Sequence, residues 1–228
     1  MLVSKALHRW KVTPKEAIAI QRKLRRMVIQ ELPRKRLLMI AGLDASVSPD
    51  GEQGLACVVL WDMRGSCVVE SHCAACIHNF PYIPGLLSFR EIPVLLKALK
   101  RLKGRPDALL CDGQGLAHPR RFGLACHLGV IMDLPTVGCA KSPLCGTYEK
   151  PPVHKGSHSP ITENGEQIGM VVRTRDGVKP VFVSVGHRID LSTAVQVVLD
   201  CAMGYRLPEP LRLAHHSVSE YKRQRYGK

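Results

Sequence analysis

The chain has 228 residues, of which 45% are hydrophobic and 23% charged, the usage of an ordinary globular protein. That composition excludes a disordered chain, a collagen and a coiled coil, and no apolar run approaches the ~20 residues a membrane span needs. The formal net charge of +14 is carried by the ends: residues 1–36 hold 11 Lys and Arg against two acids, residues 204–228 six against two, and the stretch between them 16 against 15. A near-neutral body with basic ends fits a polyanionic partner touched by the termini. An anionic membrane surface fits less well, because no long apolar face accompanies the charge. Nine cysteines are an odd count in a chain too large to be a disulfide scaffold. Cys57, Cys67 and Cys111 lie in apolar stretches and read as small core residues in a reducing cytosol. With no continuous apolar leader, a cytoplasmic monomer is expected.

The elements follow in chain order. Thr13-Pro14-Lys15-Glu16 opens a helix, with Thr13 as cap, Pro14 in the first turn and Glu16 completing a capping box. Ile20, Leu24, Met27 and Val28 form its apolar face, surrounded by Arg22, Lys23, Arg25 and Arg26. Residues 37–43 form an apolar strand that stops at Asp44. Residues 54–61 and 66–77 make two more strands, and the short turns, one at Ser48-Pro49-Asp50-Gly51, imply an antiparallel meander. Residues 80–87 are too rich in Pro and Gly for regular structure. Residues 88–102 are helical by period, with Pro93 tolerated in the early turns. A strand at 107–111 ends at Asp112, a helix spans about 121–133, and a strand at 135–140 ends at Lys141. Residues 142–168 read as loop. Segments 169–175 and 180–186 flank Asp176-Gly177, a hairpin signal. A helix over 191–203 and a basic helix from about 211 complete the chain. No linker divides it, so the expectation is one domain over 1–228, with 1–36 as a basic helical extension. The order predicts an α/β mixed sheet flanked by helices.

The chemistry sits at strand ends. If the strands ending at Asp44 and Asp112 are parallel neighbours, both carboxylates emerge at one edge of the sheet, and Glu91, early in the intervening helix, reaches the same edge. Three converging carboxylates repel one another unless a hard cation binds. Mg²⁺ takes oxygen ligands and keeps waters for a substrate phosphate, and such a site can activate water for in-line attack on a phosphodiester. Singly, each acid has a plainer explanation: a turn cap at Asp44, a loop at Asp112, a solvated helix face at Glu91.

Longer motifs then carry a resemblance. Pro81-Tyr82-Ile83-Pro84-Gly85 with Ser88-Phe89-Arg90-Glu91, Asp112-Gly113-Gln114-Gly115 with Ala117-His118-Pro119-Arg120-Arg121, Ala140-Lys141-Ser142 and Gly186-His187-Arg188 occur in that order, and over residues 37–216 the chain resembles the endonuclease V family. The resemblance implies a ribonuclease H-like fold and a DNA repair endonuclease. It implies nicking of the second phosphodiester bond 3′ to deoxyinosine with Mg²⁺, for which Mn²⁺ can substitute, leaving the lesion in place. It implies that Asp44, Glu91 and Asp112 are the metal-centred catalytic carboxylates, assisted by Lys141 and a C-terminal histidine, His215, with His216 as the alternative. The lesion-binding surface it implies is Pro81, Tyr82, Ile83, Pro84, Gly85 and Leu87 with Gly113, His118 and Gly123.

Physical reasons support these roles. Pro81 and Pro84 stiffen the backbone around Tyr82 and Ile83, which suits a wedge that fills the gap left by an extruded base. Gly85, Gly113, Gly115 and Gly123 would let backbone approach that base. Hypoxanthine differs from adenine in O6 and N1–H, and from guanine in lacking the exocyclic amine. Gln114 stands where relatives often carry histidine, so no proton shuttle is expected there. His187 and Arg188 contact phosphate or close a polar network at a strand end. Cys73 and Cys76, beside His72 and His78, have the spacing of half a zinc site. The rival readings are an inosine-specific endoribonuclease, a binder of deaminated or branched DNA that does not cut, and a zinc-dependent structural protein.

Overall fold

Short turns and alternating apolar residues put the segment after residue 37 into a meander. In the computed structural model, which describes residues 6–33, 35–78 and 80–227, β1 (Met39–Val47), β2 (Gln53–Asp62) and β3 (Cys67–Ile77) pair antiparallel in sequence. Lys5, Arg34 and Lys228 of the basic ends lie outside the described residues. A parallel partner needs a long crossover, and the chain supplies one through α2 (Leu87–Leu99) before β4 (Ala108–Cys111) lies parallel to β1. After α3 (Leu124–Met132), β5 (Thr136–Ala140) lies parallel to β4. With β6 (Thr147–Tyr148), β7 (His158–Glu163), β8 (Glu166–Val172) and β9 (Val181–His187), the described residues form one nine-stranded sheet in the order β3-β2-β1-β4-β5-β9-β8-β7-β6. Its first five strands have the ribonuclease H-like arrangement, and helices cover both faces.

Side chains alternate across each strand, and the two cores follow that rule. Ala41 and Leu43 of β1 join Ala56, Val58 and Leu60 of β2 against α2 and α3. Ile40 and Leu110 turn the other way, toward Val195 and Val198 of α4 (Leu191–Asp200) and Leu211 of α5 (Glu209–Tyr226). Leu55 and Cys57 pack on Val218 of α5. No helix among the described residues is long and apolar enough to cross a membrane.

The first helix, α1 (Pro14–Leu24), forms with its capping box complete. The Thr13 side chain accepts from the Glu16 amide, and the Glu16 carboxylate accepts from the Thr13 amide at 2.7 Å. It tightens into a 3₁₀ turn at Arg25–Met27, so the apolar face is shorter than the spacing implies: Ala17, Gln21 and Leu24 are buried, and Met27 is exposed.

Other differences have local causes. β1 does not stop at Asp44 but continues to Val47, because β2 still pairs with it after β4 has ended at Cys111. Residues 142–168 hold two strands, β6 (Thr147–Tyr148) and β7 (His158–Glu163), and β7 pairs with β8 (Glu166–Val172). Asn164-Gly165 joins that pair, with φ of 53° and 78°, the left-handed pair that a tight hairpin requires. Asp176-Gly177 lies in the connection 173–180 between β8 and β9 (Val181–His187), which pair antiparallel as that signal implies, though across a longer loop than a two-residue turn. Cys57 and Cys111 are buried as expected, but Cys67 is exposed, and Cys57 is disulfide-bonded to Cys73, its neighbour across β2 and β3. Cys73 and Cys76 do not make a zinc site. Three residues apart on a strand, they point to opposite faces, and the metal-type cluster found among the described residues contains neither. His187 and Arg188 close a polar network: the Arg188 guanidinium donates to Asp133 at 2.7 Å and to Glu31 at 3.1 Å, and His187 accepts from the Ile29 amide.

Candidate active site

The parallel register of β1 and β4 decides where the acids meet. Gly42 lies beside Leu110 and Leu43 beside Cys111, so Asp44 and Asp112 come next, side by side, where β1 outruns β4. Ile40, Gly42 and Asp44 share the face toward α5. A Cβ on Gly42 would lie 2.2 Å from the Pro210 carbonyl, so this glycine lets the start of α5 come down onto the sheet. The helix then carries His215 onto Asp44, with Nδ1 2.6 Å from Oδ2. The other Asp44 oxygen accepts from the Ala45 amide at 2.9 Å. Lys141, at the end of β5, donates to Asp112 Oδ2 at 2.5 Å.

These side chains and Glu91 line one cleft of about 290 Å³. Asp44, Asp112 and His215 offer ligand atoms within 4.8 Å of one another. Glu91 lines the same cleft outside that tight set, reaching in from α2. His216 is exposed and is not among the lining residues. Burial, and then the charge of Asp112, raise the Asp44 pKa. Burial, followed by Asp44 and Asp112, raises that of Glu91 to about 8. Three carboxylates thus crowd a space where one lysine and one histidine face them. An oxygen-ligated dication fits such a donor set, because it relieves the repulsion that the protein leaves uncompensated.

A second pocket of about 200 Å³ adjoins the first, below the ~300–1,000 Å³ of pockets for drug-sized ligands. Tyr82, Ile83, Pro84, Gly85, Leu87, Gly113, His118 and Gly123 all line it, whereas Pro81 does not. Tyr82 stands 68% exposed at its mouth. Asp112 precedes Gly113 in the wall, and Lys141 sits between the lining residues Ala140 and Ser142, so the two cavities share chain segments. Gly115 plays another part: a Cβ there would meet the Val185 carbonyl at 2.0 Å, so it serves packing against β9.

Residues that sequence reasoning passed over complete this pocket. Gln21 of α1 donates to the Gly85 carbonyl at 3.0 Å and the Phe122 carbonyl at 3.1 Å. The Gly85 carbonyl also accepts from His118 Nε2 at 2.9 Å and Arg120 Nη2 at 2.6 Å. His118 Nδ1 accepts from the Arg120 amide at 3.1 Å, so both ring nitrogens are used and the ring is neutral. Gln114 donates to the Ser142 carbonyl at 2.9 Å, while its Oε1 is buried with no hydrogen-bond partner among the described residues. Ser88, Pro143 and Leu144 add to the lining. Only the Pro-Gly character of 80–87 hinted at such a loop; contacts from Gln21, some sixty residues upstream, leave no local signal. A larger depression of about 720 Å³ lies elsewhere, with Asp200 as its single carboxylate.

Comparison with known proteins accounts for this arrangement. The family model for endonuclease V matches residues 22–216. Endonuclease V of Nostoc punctiforme is 48% identical over 213 residues, covering 93% of this chain and 96% of its own. The crystal structure of endonuclease V from Streptomyces avermitilis superposes with a TM-score of 0.90 at 41% identity, over 98% of both chains. Endonuclease V from Ciona intestinalis, solved in complex with a 24mer DNA containing an inosine followed by a ribo-adenosine, superposes with a TM-score of 0.80 at 27% identity, over 92% of this chain and 98% of its own. The chain therefore belongs to the endonuclease V family and is a nuclease.

Proposed function

We propose that this protein is a DNA repair endonuclease that nicks the second phosphodiester bond 3′ to deoxyinosine, with Mg²⁺, and leaves the lesion in place. The observation that carries the reading is the continuity of a base-sized pocket with a carboxylate cleft through Asp112-Gly113 and Ala140-Lys141-Ser142. A base held in the first puts its own strand's backbone across the second. The DNA bound by the Ciona relative, which contains inosine, supports the same substrate here.

Asp44 and Asp112 would hold the metal, with His215 and Glu91 beside them. Bound there, Mg²⁺ supplies an acidified water and neutralises phosphate charge. Lys141, at the mouth of the cleft, offers its ammonium to the charge that develops on the phosphate. His215 is anchored through Nδ1 to Asp44, which leaves Nε2 to hold or release a proton. Tyr82 takes up the stacking that an extruded base gives up. The Gly85 carbonyl, fixed by three donors, holds the Tyr82 loop in place. The buried, unpaired Gln114 oxygen lies beside the pocket, a setting that favours a base presenting an N–H donor over one presenting a bare nitrogen. The protein works as a cytoplasmic monomer.

The test is a parallel digestion. Matched DNA and RNA oligonucleotides, each with inosine or adenosine at one position, are incubated with Mg²⁺, Mn²⁺ or EDTA and the product ends mapped. The reading predicts a nick in inosine DNA that EDTA abolishes. Cleavage confined to inosine RNA would replace it with the endoribonuclease, and binding without cutting would replace it with the recognition module.

A further inference from the structure

A third cavity of about 510 Å³ is walled by Arg22, Arg25, Arg26, Pro119 and Arg120. Positions 22, 25 and 26 lie three and four apart on α1 and its terminal turn, and Arg25 is one turn beyond the buried Gln21. All three arginines are exposed, and among the described residues none of them is paired with a carboxylate. Arg120 is held by neutral oxygens alone: its Nε donates to Gln21 Oε1 at 2.5 Å and its Nη2 to the Gly85 carbonyl. Burial, and then the nearby Arg22 charge, lower its pKa, as expected where cations face one another without an anion. The next residue, Arg121, is by contrast paired with both Glu163 and Glu166.

The place of this cleft matters as much as its charge. Arg120 and Gln21 touch the wall of the base pocket at Gly85, whereas the carboxylates adjoin a different wall, at Gly113 and Ser142. A strand whose base enters the pocket leaves it toward the carboxylates in one direction and toward the arginines in the other.

We propose that Arg22, Arg25, Arg26 and Arg120 form a seat for backbone phosphates of the lesion strand on the 5′ side of the extruded nucleotide. The inference rests on the lesion-nuclease reading, which puts the cut on the 3′ side. The seat explains why the basic excess of the N-terminal segment lies next to the base pocket and not at the cleavage site. It anchors the strand on the side that the metal cleft does not hold, and Arg120 ties that anchor to the loop carrying Tyr82.

The experiment uses the full chain, wild type and Arg22→Gln/Arg25→Gln/Arg26→Gln, binding duplexes with one deoxyinosine in Ca²⁺. Arg120 is left intact because its contact with Gly85 supports the base pocket, and exposed Arg→Gln changes are mild for a helix. Single neutral methylphosphonate linkages are placed 5′ of the lesion, 3′ of it, or in the complementary strand. Each phosphate contact contributes about 0.9 to the salt slope, or about eightfold in affinity at 0.1 M salt. The wild type should lose about that much at one or two 5′ linkages. The triple variant should bind more weakly, with a slope shallower by one to two, and should be indifferent to those same linkages, while keeping its preference for inosine over adenine. Equal sensitivity of the two proteins at the 5′ linkages, or a difference between them confined to the 3′ side or the complementary strand, would overturn the seat. A wild type that does not prefer inosine would remove the lesion reading and the inference together, so the two failures are distinguishable.

Discussion

At the residue scale the site is built against stability. Burial and mutual repulsion disfavour the charges of Asp44 and Glu91, so a neutral substitute costs chemistry and relieves strain. Asp44→Asn, which still accepts from Ala45, should lower single-turnover cleavage by about a hundredfold or more while the thermal midpoint holds or rises; near-normal Mg²⁺-dependent cutting by this variant would remove Asp44 from the site. Tyr82 is a separate matter, since it touches none of the acids. Stacking on an aromatic ring is worth about 1–3 kcal/mol per base, so Tyr82→Ala should weaken binding to lesion duplex by about one to two orders of magnitude, and Tyr82→Phe should be mild. Equal losses in the two variants would point to the hydroxyl and away from a wedge. His118 gives a pH signature. Burial lowers its pKa to about 4, against about 6.5 in an unfolded chain, so the unfolded state takes up a proton first as pH falls. The stability it contributes is complete above pH 6.5 and is lost toward pH 4. In urea melts the stability difference between the wild type and His118→Asn should shrink by about 1.4 kcal/mol per pH unit as pH falls through that window, the comparison cancelling the opposite slope of Glu91, and the Gly85 clamp loosens with it. A difference that is the same at pH 7 and pH 5 would contradict the neutral, clamped ring.

At the element scale the chain was readable wherever one segment decides the outcome. The capping box at Thr13 and Glu16, the meander of β1 to β3 and the crossover into a parallel β4 all follow from local pattern. Asp44 and Asp112 could be paired on that basis because a parallel register aligns strand ends. What resisted was set by contacts between distant segments. His215 meets Asp44 only because Gly42 admits Pro210, and neither residue announces the other. Gln21 and Arg120 converge on Gly85 from opposite parts of the chain. Strands β6 and β7 are obscured by prolines and polar residues, although Asn164-Gly165 marks their neighbouring turn. The Gly42 contact can be tested directly. Gly42→Ala forces the Pro210 backbone away, and overpacking of this kind costs about 1–3 kcal/mol, or a few degrees in Tm for a chain of this size. Cleavage should fall as His215 leaves Asp44, yet the same change should add little to the rate defect of His215→Ala. A wild-type Tm and rate in Gly42→Ala would mean that α5 is not seated by this approach.

At the scale of the whole molecule, three cavities lie in sequence: a carboxylate cleft at the β1–β4 edge, a base-sized pocket beside it, and an arginine cleft beyond Gly85. The uneven charge seen in the sequence has this layout as its counterpart, with a carboxylate cleft in the near-neutral body and an N-terminal helix whose arginines have no carboxylate partner among the described residues. The central claim is that the base pocket sets the position of the cut made in the carboxylate cleft. The most direct measurement moves a single deoxyinosine one nucleotide at a time along an otherwise constant, end-labelled duplex and maps the nick under single-turnover conditions with Mg²⁺. The account predicts that the nick moves with the lesion, one nucleotide for each step, always at the second phosphodiester on its 3′ side. A nick that stays at fixed sequence positions, or whose distance from the lesion varies, would contradict it.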